Sequence, residues 1–260
     1  MYLPQLIKRA EAGEKLAVLT CYDASFAHLL VGAGVDILLV GDSLGMTVQG
    51  HTTTLPVTLE QMVYHTEAVA RGAAGRSFII GDLPFGSYQE SPAQALHASA
   101  RLLSAGANMV KLEGGAVMLD TVRFLVDRGI PVCAHLGLLP QSVNTTGYRV
   151  QGRDQTAAEQ LLRDAEAMQA AGVQMLVLES VPGSLANAIS LTLDIPTIGI
   201  GAGAGCDGQV LVLQDLIGLT EKPPGFARDF MAGAGNLAEA VRAYVTAVKS
   251  GTFPGPEHSF

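Results

Sequence analysis

The chain has 260 residues, 48% hydrophobic and only 15% charged, with a formal net charge of −8. An acidic chain with no basic run and few aromatics lacks the electrostatic footprint of a nucleic-acid binder, and it does not suit an anionic membrane surface. The length fits one large domain over residues 1–260, with a short N-terminal helical segment and a C-terminal helix and tail.

The first segment, Met1 to Leu16, carries Lys8, Arg9, Glu11, Glu14 and Lys15 and no unbroken apolar stretch, so it does not read as a signal peptide. No apolar run approaches the roughly 20 residues of a membrane span. Cys21, Cys133 and Cys206 are too scattered for a disulfide framework or a zinc site and read as buried, reduced thiols. A cytoplasmic enzyme is expected.

Short apolar runs then recur with helix signals between them. Leu16–Thr20 is the first, and Gly32-Ala33-Gly34-Val35 leads into the second, Asp36–Val40. Asp42 and Ser43 follow at once. Gly41-Asp42-Ser43-Leu44-Gly45 matches the nucleophile elbow of α/β-hydrolases, but the β-branched, turn-rich stretch Met46–Thr54 does not continue it as a helix, so the hydrolase reading is set aside. Thr58 with Gln61 forms a capping box, with Leu59, Met62, Val63 and Val69 as the apolar stripe. Ser77–Gly81 precedes Asp82, and Ser91-Pro92 with Gln94 opens the next helix. Ala105-Gly106-Ala107 ends that helix before Asn108–Leu112, which carries Lys111 and is followed by Glu113.

Pro131–His135 is the fifth run, followed by a long connection, Gly137 to Arg153, whose Tyr148, Arg149, Gln151 and Arg153 make it a lid candidate. Thr156 with Glu159 is the signal for the following helix, and Ala171-Gly172-Val173 leads into Gln174–Leu178 and Glu179. Pro196–Ile200 runs into a glycine-rich loop, Gly199 to Gly205, that either nests an anion or lets the chain approach a neighbour closely. Gln209–Leu213 is the eighth run, and Asn236 with Glu239 opens the last long helix. Continuous apolar runs alternating with amphipathic helices imply a parallel sheet, and about eight such units close a (β/α)8 TIM barrel; a doubly wound open sheet is the alternative.

In a barrel the residues that end or follow the strands meet at one rim, the usual site of chemistry. Three carboxylates and a lysine beside apolar runs need compensation, which a hard cation of the magnesium type supplies through oxygen ligands. Asp42 and Asp82 are the first candidates, with Glu113 direct or through water and His135 as a possible support behind them. Zinc fits less well, because no Cys/His cluster has ligand spacing.

The stretches VGDSLGMTVQGH (40–51), GDLPF (81–85), GANMVKLEGG (106–115), HLGLLPQSVN (135–144), VQGR (150–153), VLES (177–180), GIGAG (199–203), CDGQVLVL (206–213) and FPGPEHSF (253–260) resemble the 3-methyl-2-oxobutanoate hydroxymethyltransferase (ketopantoate hydroxymethyltransferase) family. The resemblance implies a barrel of the phosphoenolpyruvate mutase/isocitrate lyase type in a large homo-oligomer, a decamer by family habit. It implies Mg2+, 5,10-methylenetetrahydrofolate as co-substrate, and a place in pantothenate and coenzyme A biosynthesis. It assigns Asp42 and Asp82 to the metal and substrate, Glu113 to the metal environment, Ser43 and Lys111 to the keto acid, and Glu179 to the catalytic base. Thr146-Gly147-Tyr148 and Gln214 depart from the family pattern. A carbon–carbon lyase or phosphonopyruvate-type mutase acting without folate is the rival reading on the same barrel.

Overall fold

The computed structural model describes residues 2–260. Eight strands, β1 (Leu16–Thr20), β2 (Ile37–Val40), β3 (Phe78–Asp82), β4 (Met109–Glu113), β5 (Val132–Gly137), β6 (Met175–Glu179), β7 (Thr197–Ile200) and β8 (Gly208–Leu211), form a closed parallel barrel in chain order. Closure is made by β8 pairing back onto β1, from Leu16↔Gly208 to Leu19↔Leu211, which removes the open-sheet alternative. The helices are α1 (Leu3–Glu11), α2 (Ala24–Gly32), α3 (Leu44–Thr47), α4 (Leu59–Ala73), α5 (Pro92–Ser104), α6 (Leu119–Val126), α7 (Val143–Thr146), α8 (Gln155–Ala170), α9 (Gly183–Thr192), α10 (Leu213–Leu216) and α11 (Leu237–Lys249).

Local chemistry accounts for most of the helix starts. Thr58 and Gln61 form the expected reciprocal cap on α4, and the side chains of Ser91 and Asn236 accept from the N–H groups of Gln94 and Glu239. One start differs. Helix α8 begins at Gln155, with Asp154 rather than Thr156 accepting from the third N–H, Ala157, at 2.9 Å. An aspartate two residues upstream offers both the cap acceptor and a negative charge at the positive end of the helix, so it displaces the threonine.

The strict strand–helix alternation also breaks once. Among the described residues β7 and β8 are joined by residues 201–207 with no helix between them. The glycine run makes this possible: Gly201 has φ +58°, and a Cβ there would lie 2.6 Å from the Phe226 ring, while one on Gly203 would lie 3.0 Å from Gly183. The glycines therefore serve close approach. The seam between β8 and β1 is covered by the last long helix, α11, which packs on β1 with the Tyr244 hydroxyl 2.9 Å from the carbonyls of both Val18 and Gln209.

The barrel interior is filled by Leu16, Val18, Ile37, Leu39, Phe78, Ile80, Met109, Cys133, Met175, Val177, Ile198, Ile200 and Val210. Leu6 of α1 joins this cluster, fully buried, so α1 plugs the end of the barrel where the strands begin. Arg9 on the same helix reaches Asp36 at 2.6 Å and Glu14 at 2.6 Å, and Lys249 reaches the same two carboxylates at 3.4 and 3.1 Å. All three cysteines are buried; burial pushes Cys21 and Cys133 up to about 12 and Cys206 up to about 11, as expected of inert core thiols.

Candidate active site

Along a strand, every second residue faces the barrel interior. Ile80, Met109, Cys133 and Val177 occupy that face on β3 to β6. Two residues further on, the same parity turns Asp82, Lys111, His135 and Glu179 inward, with Glu113 one step above Lys111. The apolar filling stops and a polar layer begins, at the end of the barrel opposite α1.

Asp42 and Ser43 reach this layer from the turn after β2. A Cβ at Gly41 would lie 2.9 Å from the Ser43 Oγ, so glycine there lets that hydroxyl keep its place. The Asp42 N–H points at Asp82 Oδ2 over 3.4 Å, and Lys111 Nζ donates to Asp82 Oδ1 at 2.6 Å. Lys111 also lies 4.0 Å from Glu113 Oε1. Burial raises the Asp42 carboxyl well above the usual aspartate range and the repulsion of Asp82 adds to it, against the pull of Lys111. Asp82 is also raised, chiefly by burial. For Lys111 burial works against the charge, but Asp82, Glu113 and Asp42 together outweigh it and raise its pKa.

His135 stands between two glutamates, with Nδ1 3.5 Å from Glu113 Oε1 and Nε2 3.3 Å from Glu179 Oε2. Neither contact is aligned as a hydrogen bond, so the attraction is that of an ion pair. Burial opposes the imidazolium, yet the two carboxylates prevail and hold His135 up at about 9. The charge of His135 in turn contributes to keeping Glu113 below its ordinary value, despite its burial. Glu179 is the least buried of the group, its side chain 16% exposed toward the mouth. The residue after it, Ser180, takes a left-handed conformation at φ 49°, and its carbonyl accepts from the N–H of Gln151 in the long loop after β5. Tyr148 on that loop is half exposed, and its hydroxyl is raised by partial burial and then by the charges of Glu179 and Asp42.

The layer contains partners that sequence reasoning did not single out. Gln141 is buried; its side-chain amide donates to Asp42 Oδ2 at 2.9 Å, and its backbone N–H donates to Glu113 Oε2 at 3.0 Å. Tyr88 donates to Gln141 Oε1 at 2.7 Å and accepts from the Glu113 N–H at 3.1 Å. Tyr22 shares a 2.8 Å hydrogen bond with Ser43. A polar residue in a loop is the ordinary case, so nothing in the local pattern of Gln141 marks it. The expectation that no helix follows Ser43 is corrected: α3 forms over one turn, because Thr47 and Val48 can close hydrogen bonds to Ser43 and Leu44. Ser43 is nevertheless not an elbow nucleophile. Its backbone is in the unstrained right-handed region, at φ −51° and ψ −18°, and its hydroxyl is bonded to a tyrosine rather than a histidine.

Four carboxylates thus face one lysine and one histidine. Among the described residues no three His, Cys, Asp or Glu side chains already enclose a common point as a metal cage. What the layer offers instead is a pair of aspartates and a glutamate in which Asp42 Oδ1 accepts no hydrogen bond among the described residues and Glu113 Oε1 is buried without one. That donor set fits a small hard cation, which is held by one or two carboxylates and takes its other oxygens from water and substrate.

The closed barrel has the fold seen in the phosphoenolpyruvate mutase/isocitrate lyase superfamily. Its fold is shared with the phosphoenolpyruvate phosphomutase of Streptomyces platensis subsp. rosaceus, at TM-score 0.64 and 16% identity over 84% of this chain and 83% of that one. It is shared too with 2,3-dimethylmalate lyase, a member of that superfamily, at TM-score 0.57 and 16% identity over 80% and 77%. A phosphonopyruvate hydrolase solved with oxalate and Mg2+ matches at TM-score 0.64 and 11% identity over 84% of each chain. Sequence narrows the class further. The chain belongs to the ketopantoate hydroxymethyltransferase family, whose model matches residues 1–256. It is 63% identical over 251 residues to the 3-methyl-2-oxobutanoate hydroxymethyltransferase of Thiobacillus denitrificans, covering 96% of this chain and 95% of that one. To the enzyme of the same name from Methylobacillus flagellatus it is 61% identical over 262 residues and the full length of both. The transferase reading is supported over the lyase or mutase rival, and among the described residues no helix is long and apolar enough to cross a membrane.

Proposed function

We propose that the chain uses a divalent ion such as Mg2+, with 5,10-methylenetetrahydrofolate as one-carbon donor, to convert 3-methyl-2-oxobutanoate to 2-dehydropantoate on the way to pantothenate. The observation that carries this reading is the pair Asp42 and Asp82, both buried beside Lys111, with Asp42 Oδ1 left over and Glu179 at the open side. Asp42 and Asp82 would hold the ion, with Glu113 joining directly or through water. When bound, the ion supplies Lewis-acid polarisation of a 2-oxo acid, which acidifies the adjacent C3–H.

The remaining work falls to side chains. Lys111 sets a fixed positive charge beside the substrate carboxylate and the oxygen on which negative charge grows, in a dry layer where such a charge counts for more than in water. The Ser43 hydroxyl, held by Tyr22, is a further contact for the keto acid. Glu179 takes the C3 proton, and His135 holds that carboxylate from the barrel side. The carbanion carbon then forms the new C–C bond to the one-carbon unit as the first of that unit's two bonds to folate nitrogens breaks. One water is consumed overall: its oxygen replaces the second nitrogen as the product's new hydroxyl, and the C3 proton and one water proton end on the two nitrogens of tetrahydrofolate. The loop carrying Tyr148 is suited to cover the mouth while this happens. The same reading makes the chain a one-domain cytoplasmic enzyme in a large homo-oligomer, a decamer by family habit, which light scattering would check.

Proton NMR of 3-methyl-2-oxobutanoate with enzyme, Mg2+ and 5,10-methylenetetrahydrofolate tests the proposal. Hydroxymethylated product should appear only when metal and folate are both present. Turnover without folate would replace the reading with a lyase.

A further inference from the structure

We infer that Gln141 is the positioning residue that sets which cation the rim accepts, an inference that rests on the metal-dependent reading above. Hydrogen counting fixes the orientation of the Gln141 amide. The Tyr88 hydroxyl has one proton. It accepts from the Glu113 N–H at 3.1 Å, and its proton goes to Gln141 Oε1 at 2.7 Å rather than to the Glu113 carbonyl at 3.3 Å. Gln89 Nε2 donates to the same Oε1 at 3.2 Å. With its oxygen so engaged, the amide has only one orientation. Its two N–H groups point to Asp42 Oδ2 and to the Leu83 carbonyl, both at 2.9 Å. Every donor and acceptor of this buried side chain is used, so it cannot turn without stranding a polar group.

The consequence falls on the carboxylates. Asp42 has Oδ2 bound to the Gln141 amide and Oδ1 uncommitted. Glu113 has Oε2 bound to the Gln141 backbone N–H, while Oε1 accepts no hydrogen bond and has only the charges of His135 at 3.5 Å and Lys111 at 4.0 Å beside it. One residue therefore withdraws one oxygen from each of two acids and leaves each with a single oxygen to offer. Magnesium is content with single oxygens from one or two carboxylates plus water and substrate, whereas calcium takes six to eight oxygens and gains from carboxylates that give both. By tying off the second oxygens, Gln141 favours the smaller ion. Removing its amide while keeping its bulk frees Asp42 Oδ2, and that oxygen becomes available to a larger cation.

The test is isothermal titration of the folded protein with Mg2+ and separately with Ca2+, at a fixed concentration of 3-methyl-2-oxobutanoate. Gln141→Met should lower the ratio of Mg2+ to Ca2+ affinity by about tenfold, the scale on which partners of metal ligands act. Tyr88→Phe keeps the ring in the core and only releases the amide orientation, so it should shift the ratio the same way by a smaller factor. A ratio is unaffected by a fraction of inactive protein, which a merely structural role would produce. A wild-type preference for Mg2+ that survives unchanged in both variants overturns the inference and leaves the metal-dependent reading standing. Wild-type protein that binds neither ion overturns the reading itself, and the inference with it.

Discussion

The two ends of the barrel both gather charge, on opposite terms. Where the strands begin, Arg9 and Lys249 face Glu14 and Asp36, two cations for two anions, and the second oxygen of Asp36 accepts from the Ala17 N–H at 2.9 Å. Where the strands end, Asp42, Asp82, Glu113 and Glu179 face only Lys111 and His135, and carboxylate oxygens remain uncommitted. The first arrangement is neutral and closed, and it fastens α1 and α11 to the barrel. The second is an excess of negative charge held in a dry layer, which costs folding energy unless something positive arrives. Balance distinguishes a fastening from a site more reliably than burial does.

Substitutions at the two ends should therefore separate. The largest effect is expected at Glu179. Glu179→Gln should lower kcat by about 10²- to 10⁴-fold, the usual worth of a general base, while calorimetry still finds metal-dependent keto-acid binding. Loss of binding in step with kcat would make Glu179 a binding group instead. Next comes Asp82→Ala, which takes from Lys111 its one hydrogen-bonded carboxylate and leaves it Glu113 at 4.0 Å. Breaking a buried pair costs at most about 3–5 kcal/mol, read in urea unfolding, and metal-dependent substrate binding should weaken as well. At the other end Asp36→Ala should cost less, about 1–3 kcal/mol, because Arg9 and Lys249 can reach water and only the Ala17 N–H is left buried and unpaired. Its kcat should match wild type; a matching fall in kcat would join the two ends in one system.

The smallest effect concerns acid. The Arg9 hydrogen bond, and then Lys249, hold Glu14 down to about 2, below the roughly 4.3 of an unperturbed glutamate. A depressed carboxyl contributes stability that is present above the unfolded value and disappears as pH falls through the folded one. The stability gap between wild type and Glu14→Gln should accordingly close between about pH 4 and pH 2. With its side chain 43% exposed, Glu14 is screened, so the gap should be about 0.2–1 kcal/mol and shrink in high salt. A gap that stays constant across that range would remove the Arg9 pairing as its cause.

Much of this was legible before any coordinates. Continuous apolar runs marked the eight strands to within a residue or two, and counting by twos along β3 to β6 brings Asp82, Lys111, His135 and Glu179 to one face. The last long helix was legible from its Asn236 and Glu239 cap, but the missing helix after β7 was not, because a glycine run is equally consistent with an anion nest and with a tight return. Gln141 and Tyr88 were hidden for a different reason. Their importance lies in hydrogen bonds between segments 53 residues apart, and no local period records such a pairing. The capping error at α8 was a contest between two adequate caps, Asp154 and Thr156, that only the path of the loop could decide.

The central claim, that the strand-end layer is an enolising site completed by a cation, is tested most directly by hydrogen exchange. The C3 proton of 3-methyl-2-oxobutanoate should be lost from the NMR spectrum in D2O with enzyme and Mg2+ and no folate. It should persist with EDTA or with Glu179→Gln. Exchange at an undiminished rate in that variant, or in the presence of EDTA, would contradict the account.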